Sequence, residues 1–174
     1  NANEDLFMAR KLMADVFGSK NVDHRFEKGL LSQAESLESK LGHKTVQSTI
    51  AQLDDAPSIL VFGTSLADDL PIVFLRVRKA WFKNAAKVVV AHHAETDVDS
   101  FAHVVLRYKE ATGHAVASGL LNLLVQAGKA NVSAATVEAN KSFTPEHVES
   151  ISGVPASRLR EAAEVLAGAT VVTA

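Results

Sequence analysis

Cysteine is absent from the 174 residues. That removes disulfides, thiolate zinc sites, cysteine-ligated iron–sulfur clusters and cysteine nucleophiles from this stretch. Charge of one sign is lacking too. The formal net charge is −2, with acids and bases interspersed, whereas a nucleic-acid binder usually shows a basic balance or stripe. No apolar run approaches the ~20 residues that a membrane-spanning helix needs. The first residues read as an amphipathic helix with acids in its first turn, so they are not expected to be a secretory leader. What is present is ordinary globular material. Apolar residues make up 47% and charged residues 22%, and the length suits one domain.

The two ends carry information. Asn1 and Ala2 read as a tag remnant. Asn3 then offers an N-cap, Glu4 and Asp5 suit the positive helix end, and Leu6, Met8, Ala9, Leu12, Met13, Val16 and Phe17 give a wide apolar face. Thr170-Val171-Val172-Thr173 reads as a strand at the other end. A stretch opening on a bare helix and closing on a strand is expected to be cut from a larger subunit.

Between the ends, strand and helix alternate. Ser58 to Phe62 is a short apolar run between Pro57 and Gly63, the pattern of a strand buried on both faces. A polar loop over 63–69 leads to a helix of about 15 residues ending near Asn84. Lys87 to Ala91 and Val104 to Leu106 are the next strands. Gly113 to Ala127 is apolar nearly all round and is expected to be a buried helix closed by Gly128. Lys129 to Lys141 reads as a linker. Thr144 and Pro145 supply an N-cap and a first helical residue. A last helix covers Pro155 to Ala167, ending at Gly168. Glu27 to Lys44 gives the weakest pattern, that of a helix with a mobile end. The alternation predicts a three-layer α/β fold with a mainly parallel sheet. The boundaries that follow are a remnant at 1–2, a core at 3–128, a linker at 129–141 and two helices with a terminal strand at 142–174, all of one domain.

In such folds ligands bind beyond the carboxyl ends of the strands. Gly63-Thr64-Ser65 is the first candidate. Glycine permits a tight turn, the hydroxyls can donate, and the following helix start offers N–H groups to an anion. Ser65 with Asp68 also fits a capping-box-like pattern that needs no ligand. The loop is neither GxGxxG nor a P-loop. The second candidate is 91–97, where His92 and His93 stand near Glu95 and Asp97. Adjacent strand residues point to opposite faces, so one metal could take both imidazoles only if the strand has ended. The spacing matches no zinc signature, and surface or interface histidines are the simpler reading. Arg76, Lys79 and Lys83 share a helix face, which suits either solvent or a partner subunit. Trp81 and Phe82 read as core. His103 and the run Asp23-His24-Arg25 have no nucleophile at a recognisable spacing. No catalytic and no metal-binding residue is assigned.

Taken in order, the segments resemble the molybdopterin oxidoreductase superfamily. Asn3-Glu4-Asp5-Leu6 followed by Gly18-Ser19-Lys20-Asn21-Val22-Asp23-His24-Arg25 is similar to its helix and "G-[ST]-x-N-V-D-H-R". Ser58 to Ser65, with Leu70-Pro71, resembles "x-I-L-V-x-G-x-N-P-x-x-x-x-P". Lys87 to Thr96 resembles "K-V-V-V-x-x-P-R-x-T", and Ala102 to Thr112 resembles "A-D-x-x-L-x-x-x-P-G-T". Ser152-Gly153-Val154-Pro155 and Arg160-Glu161-Ala162-Ala163 match its last helical stretch. In active members these loops cradle the guanine-nucleotide ends of a molybdenum cofactor. Here Ser65-Leu66 replaces Asn-Pro, His93-Ala94 replaces Pro-Arg, and Glu110-Ala111-Thr112 replaces Pro-Gly-Thr. Losing arginine removes a donor fork suited to phosphate.

Scaffold residues kept and ligand loops lost make the chain most similar to the C-terminal part of the large iron–sulfur subunits of bacterial NADH:quinone oxidoreductase, respiratory complex I. That resemblance implies a Rossmann-like scaffold with no bound molybdopterin guanine dinucleotide and no other cofactor in this stretch. Gly63, Thr64 and Ser65 would be a vestige of the nucleotide loop. It further implies a parent carrying 2Fe-2S and 4Fe-4S clusters. Partners would be other subunits of the peripheral arm, with no nucleic acid and no direct membrane insertion. The location would be peripheral, on the cytoplasmic side of the bacterial inner membrane. Two alternatives stay open: a domain of an active molybdenum enzyme of the formate dehydrogenase or nitrate reductase type, and a nucleotide-binding module.

Overall fold

The computed structural model describes residues 3–19, 49–130, 132–167 and 171–173. The runs 23–25 and 27–44 therefore lie outside the described residues. The chain divides into two compact units, Asn1–Val46 and Gln47–Ala174. In the first, helix α1 (Asn3–Lys11) takes Asn3 as its first residue and carries Glu4 and Asp5 in its first turn. It runs into a π-helical turn, Leu12–Val16. Phe7, Met8, Leu12, Val16 and Phe17 are exposed along it.

The second unit is built on a four-stranded, wholly parallel sheet in the order β3-β2-β1-β4. Strand β1 is Ser58–Phe62, β2 is Lys87–His92, β3 is Val104–Arg107 and β4 is Val171–Thr173. In β1 and β2 the apolar residues run without interruption, because both faces of the sheet are covered. Ile59 pairs with Val88 and Val61 with Val90, while Leu60 pairs with Val89. Side chains alternate along a strand, so the two sets supply two separate cores. Ile59, Val61, Val88 and Val90 belong to one. Leu60, Val89, Ala91, Val104 and Leu106 belong to the other.

A short helix α2 (Leu66–Asp69) and then α3 (Pro71–Asn84) follow β1. Val77 and Ala80 of α3 are buried against the first core. Asp54 ties this helix down from the preceding 3-10 turn, Ile50–Asp55. Its carboxylate accepts from both Arg76 and Lys79, and Asn84 donates to its carbonyl. The second core is closed by α4 (Gly113–Gln126), α6 (Pro145–Ser152) and α7 (Ala156–Ala167). At Gly119 a Cβ would stand 2.7 Å from Val148 Cγ2 and 3.0 Å from Leu159 Cδ2, so only glycine lets α4 come this close to its neighbours. Thr144 Oγ1 accepts from the His147 N–H and Pro145 fills the first turn, as the sequence signal requires.

Some expectations change. The stretch read as a linker contains helix α5 (Ala134–Asn140), capped by Ser133. Helix α4 is fully buried only at Ala115, Val116, Gly119 and Leu120, while Leu121 to Val125 are half-buried. Phe82 is not core. It is 76% exposed, and Trp81 is 39% exposed while packing on Phe101 at 5.1 Å between ring centres.

Candidate functional site

The carboxyl ends of β1, β2 and β3 bring together the two loops singled out in the sequence. Gly63 turns the chain out of β1 at φ +71°, a left-handed conformation that favours glycine. Its N–H donates to the Ala91 carbonyl at 2.9 Å, fixing the turn to β2. Fully buried Leu66 then anchors α2.

Three donors of this turn, the Thr64 hydroxyl and the hydroxyl and N–H of Ser65, are directed at the chain's own carboxylates. Thr64 Oγ1 donates to Asp69 Oδ2 at 2.7 Å, and the Ser65 N–H donates to the same oxygen at 3.1 Å. Ser65 Oγ donates to Asp68 Oδ2 at 2.7 Å. The expected capping box therefore takes another form. The Ser65 hydroxyl gives its proton to Asp68 instead of accepting from the backbone, and Asp69 reaches back to the Ser65 N–H. Two carboxylates stand where an anionic ligand would need donors.

At the end of β2 the strand stops at His92, so His92 and His93 are no longer forced to opposite faces. Their rings meet at 4.3 Å between centres, tilted by 31°. Of the two histidines read as surface or interface residues, His92 is buried within the chain and His93 is exposed. His92 Nδ1 accepts from the Ala94 N–H at 3.0 Å. Arg107 holds the same loop, donating to the carbonyl of His92 at 3.1 Å and also to the Ala94 carbonyl and the Asp99 carboxylate. Among the described residues, no three or more His, Asp and Glu side chains converge as a metal site would require.

Tyr108, the first residue after β3, was not singled out in the sequence. It lies stacked on Phe62 at 5.9 Å and 6.5 Å from His93. Burial raises its phenol pKa above the ordinary value, against a smaller opposing effect of Arg107. The only signal available was an aromatic at a strand end. Beyond it, Ala111 takes φ +63°. The backbone thus keeps the left-handed turn at the position where the family pattern carries glycine, although the residue is now alanine. Arg76 and Lys79 lie away from this edge, engaged by Asp54. His103 donates its N–H to the Val88 carbonyl at 2.7 Å in the sheet.

Comparison with known proteins fits this architecture. A family model described as molybdopterin oxidoreductase matches residues 1–153. The alpha subunit of the NADPH-Fe(3+) oxidoreductase of Geobacter sulfurreducens is 28% identical over 171 residues, 98% of this chain and 19% of that protein. Formate dehydrogenase H of Escherichia coli is 27% identical over 176 residues, 96% of this chain and 24% of that protein. The G subunit of the NADH-quinone oxidoreductase of Mycobacterium tuberculosis is 31% identical over 77 residues, 44% of this chain and 10% of that protein. The chain thus spans at most about a quarter of the length of these relatives. Among solved structures, acetylene hydratase from Pelobacter acetylenicus superposes with a TM-score of 0.58 at 18% identity. The match covers 71% of this chain and 18% of that one, and it bears on the fold.

Proposed function

Because the chain belongs to the molybdopterin oxidoreductase family, we propose that it is a scaffold domain of a larger iron–sulfur oxidoreductase subunit, of the type found in NADH:quinone oxidoreductase. In this reading the parent passes electrons from NADH through 2Fe-2S and 4Fe-4S clusters toward quinone. The clusters reside in other parts of the parent, and this domain packs against other subunits of a peripheral, membrane-attached arm on the cytoplasmic side.

One observation carries the reading. The hydroxyls of Thr64 and Ser65 and the Ser65 N–H point at Asp68 and Asp69. A molybdopterin guanine dinucleotide would need those donors for its phosphates. To seat it, the loop would have to give up three hydrogen bonds and hold two carboxylates beside an anion, where like charges repel. The residues present do not fit the group. The donor set of the second loop points the same way, since His93-Ala94 stands where the family pattern offers arginine. Similarity to the G subunit of NADH-quinone oxidoreductase supports the choice of parent.

A second reading rests on the near-complete alignment with formate dehydrogenase H. It makes this chain part of a working molybdenum enzyme. Calorimetric titration with GDP, the nucleotide portion of that cofactor, separates the two, with ADP as control. The scaffold reading expects no saturable heat up to about 1 mM, a free energy of only roughly −4 kcal/mol. Micromolar GDP binding, lost when Ser65 is replaced by tyrosine, would overturn it and install the second reading.

A further inference from the structure

We propose that the outer face of α3 is a docking surface for an acidic amphipathic helix of a partner protein. The inference extends the scaffold reading and rests on it. The helix, PIVFLRVRKAWFKN, contains four cations and no acid. At ~100° per residue, Val73, Val77 and Ala80 fall on one side, and all three pack on the core beneath. Ile72, Leu75 and Phe82 fall on the other side and are 61%, 56% and 76% exposed. Leu70, at the start of the helix, is exposed as well. Surface apolar residues scattered singly need no explanation, but three aligned along one helix form a ridge that a monomer seldom leaves in water.

The flanking charges decide what kind of ridge can meet it. Arg76 and Lys79 are held by Asp54. Arg78 and Lys83 are exposed and make no ion pair with any described residue. By the same angular count Arg78 lies on one side of the Leu75–Phe82 line and Lys83 on the other. A second helix laid along α3 would interlock its own apolar ridge with Ile72, Leu75 and Phe82. Acidic residues on both of its flanks would meet Arg78 and Lys83, while lysines there would be repelled. An anionic membrane is the weaker match. Helices that lie on membranes present a broad apolar face and many free cations, and here the ridge is one side chain wide with half of its cations neutralised by Asp54.

The test is selection from a displayed library of amphipathic helices of about 18 residues, five turns long. Leucine is fixed along one face, and the flanking positions vary among Glu, Gln and Lys. The intact 174-residue chain is the target. The expected result is enrichment of Glu on both flanks. A selected peptide should bind with a change in the fluorescence of the single tryptophan, Trp81, which lies on this helix. Phe82→Ser and Leu75→Asn should each weaken binding about tenfold, the equivalent of roughly 1.4 kcal/mol. Reversing both flanks with Arg78→Glu and Lys83→Glu should switch enrichment to Lys. Circular dichroism checks that each variant is folded. Enrichment of Lys or Gln by the native chain, or none at all, overturns the proposal. So does binding to phosphatidylglycerol vesicles that Phe82→Ser removes, or self-association that the same change abolishes. GDP binding would sink the scaffold reading without altering the outcome at α3, so the two can fail separately.

Discussion

The two faces of the sheet are covered to different degrees. On one face α4, α6 and α7 interlock around Val116, Leu120, Val148 and Leu159, so closely that a methyl group at Gly119 would collide with two neighbours. Those three helices expose no large apolar side chain. On the other face α3 stands with two 3-10 turns, Ile50–Asp55 and Asp97–Phe101, and Val77 and Val98 of these elements pack with Val61 and Val88 of the sheet. Its segment leaves Leu70, Ile72, Leu75 and Phe82 in water. The first face has buried its apolar surface within the chain, as a domain core does. The second has only half done so, although its sheet residues are buried as completely. A sheet face can therefore be finished while the helix that finishes it still exposes apolar side chains of its own.

The largest effect that would sharpen the contrast is at Leu159. It is fully buried between α4 and the sheet. Leu159→Ala should cost about 2–5 kcal/mol, because removed transfer energy and a residual cavity add. Urea denaturation read by circular dichroism measures it. A loss below about 1 kcal/mol would mean that this face can collapse around a hole and is looser than Gly119 implies.

A smaller effect, of opposite sign, is expected at the carboxyl edge. Ala111 sits at φ +63°, where an L side chain costs roughly 1–2 kcal/mol. Glycine removes that strain but adds about 0.4–1 kcal/mol of unfolded-state entropy. Ala111→Gly should therefore stabilise the chain by about 0.5–1 kcal/mol, visible as a rise in the urea midpoint. A fall would mean that the alanine methyl makes contacts worth more than the strain.

How much of this could be read from the sequence depends on the range of the interactions. The strand Ser58–Phe62 was legible because both its faces are buried, which makes its apolar run continuous and its ends sharp. The start of α6 was legible because Thr144 and Pro145 act on their own turn. Helix α3 was legible as a helix, but its exposed side was not. Phe82 and Val77 are equally apolar in sequence, and only the position of the sheet decides which is buried. The linker reading of 129–141 failed on α5, whose small residues, alanines among them, look like a linker yet favour helix once Ser133 caps it. At the candidate site, Gly63, Thr64 and Ser65 were found from the strand–glycine–helix order. The turn of Asp69 back onto Thr64 and Ser65 was missed, since the expected pattern stopped at Asp68. Asp54, which acts on α3 from 22 and 25 residues away, left no local signal.

Asp54 gives a pH test of the less complete face. Hydrogen bonding from Lys79 holds its carboxyl below the ordinary carboxylate value, against the opposing effect of burial and with Arg76 adding to the lowering. A lowered folded-state pKa stabilises the fold at pH values above the unfolded pKa of roughly 4, and that contribution drains away as the pH falls through the folded value. Melting temperature should therefore drop on acidification from pH 5 in the native chain, with a shallower slope in Asp54→Asn. Equal slopes would show that α3 is held by its apolar side alone.

The smallest expected effect bears most directly on the comparison. Phe82→Ser removes a large apolar side chain from α3, yet that residue is already 76% exposed. Folding returns little free energy for a group it does not bury. Serine is also a slightly poorer helix former, so the change in stability should stay within about 0.5 kcal/mol. Leu159→Ala on the other face removes a similarly apolar group at several times that cost. If denaturation instead shows a loss of more than about 1.5 kcal/mol for Phe82→Ser, the phenyl ring is part of the fold's own packing. The two faces would then be equally complete, and α3 would have nothing left to offer a partner. A near-zero change leaves an aromatic that the fold does not use, on a ridge flanked by cations that pair with no described residue, and that is the condition a docking surface has to meet.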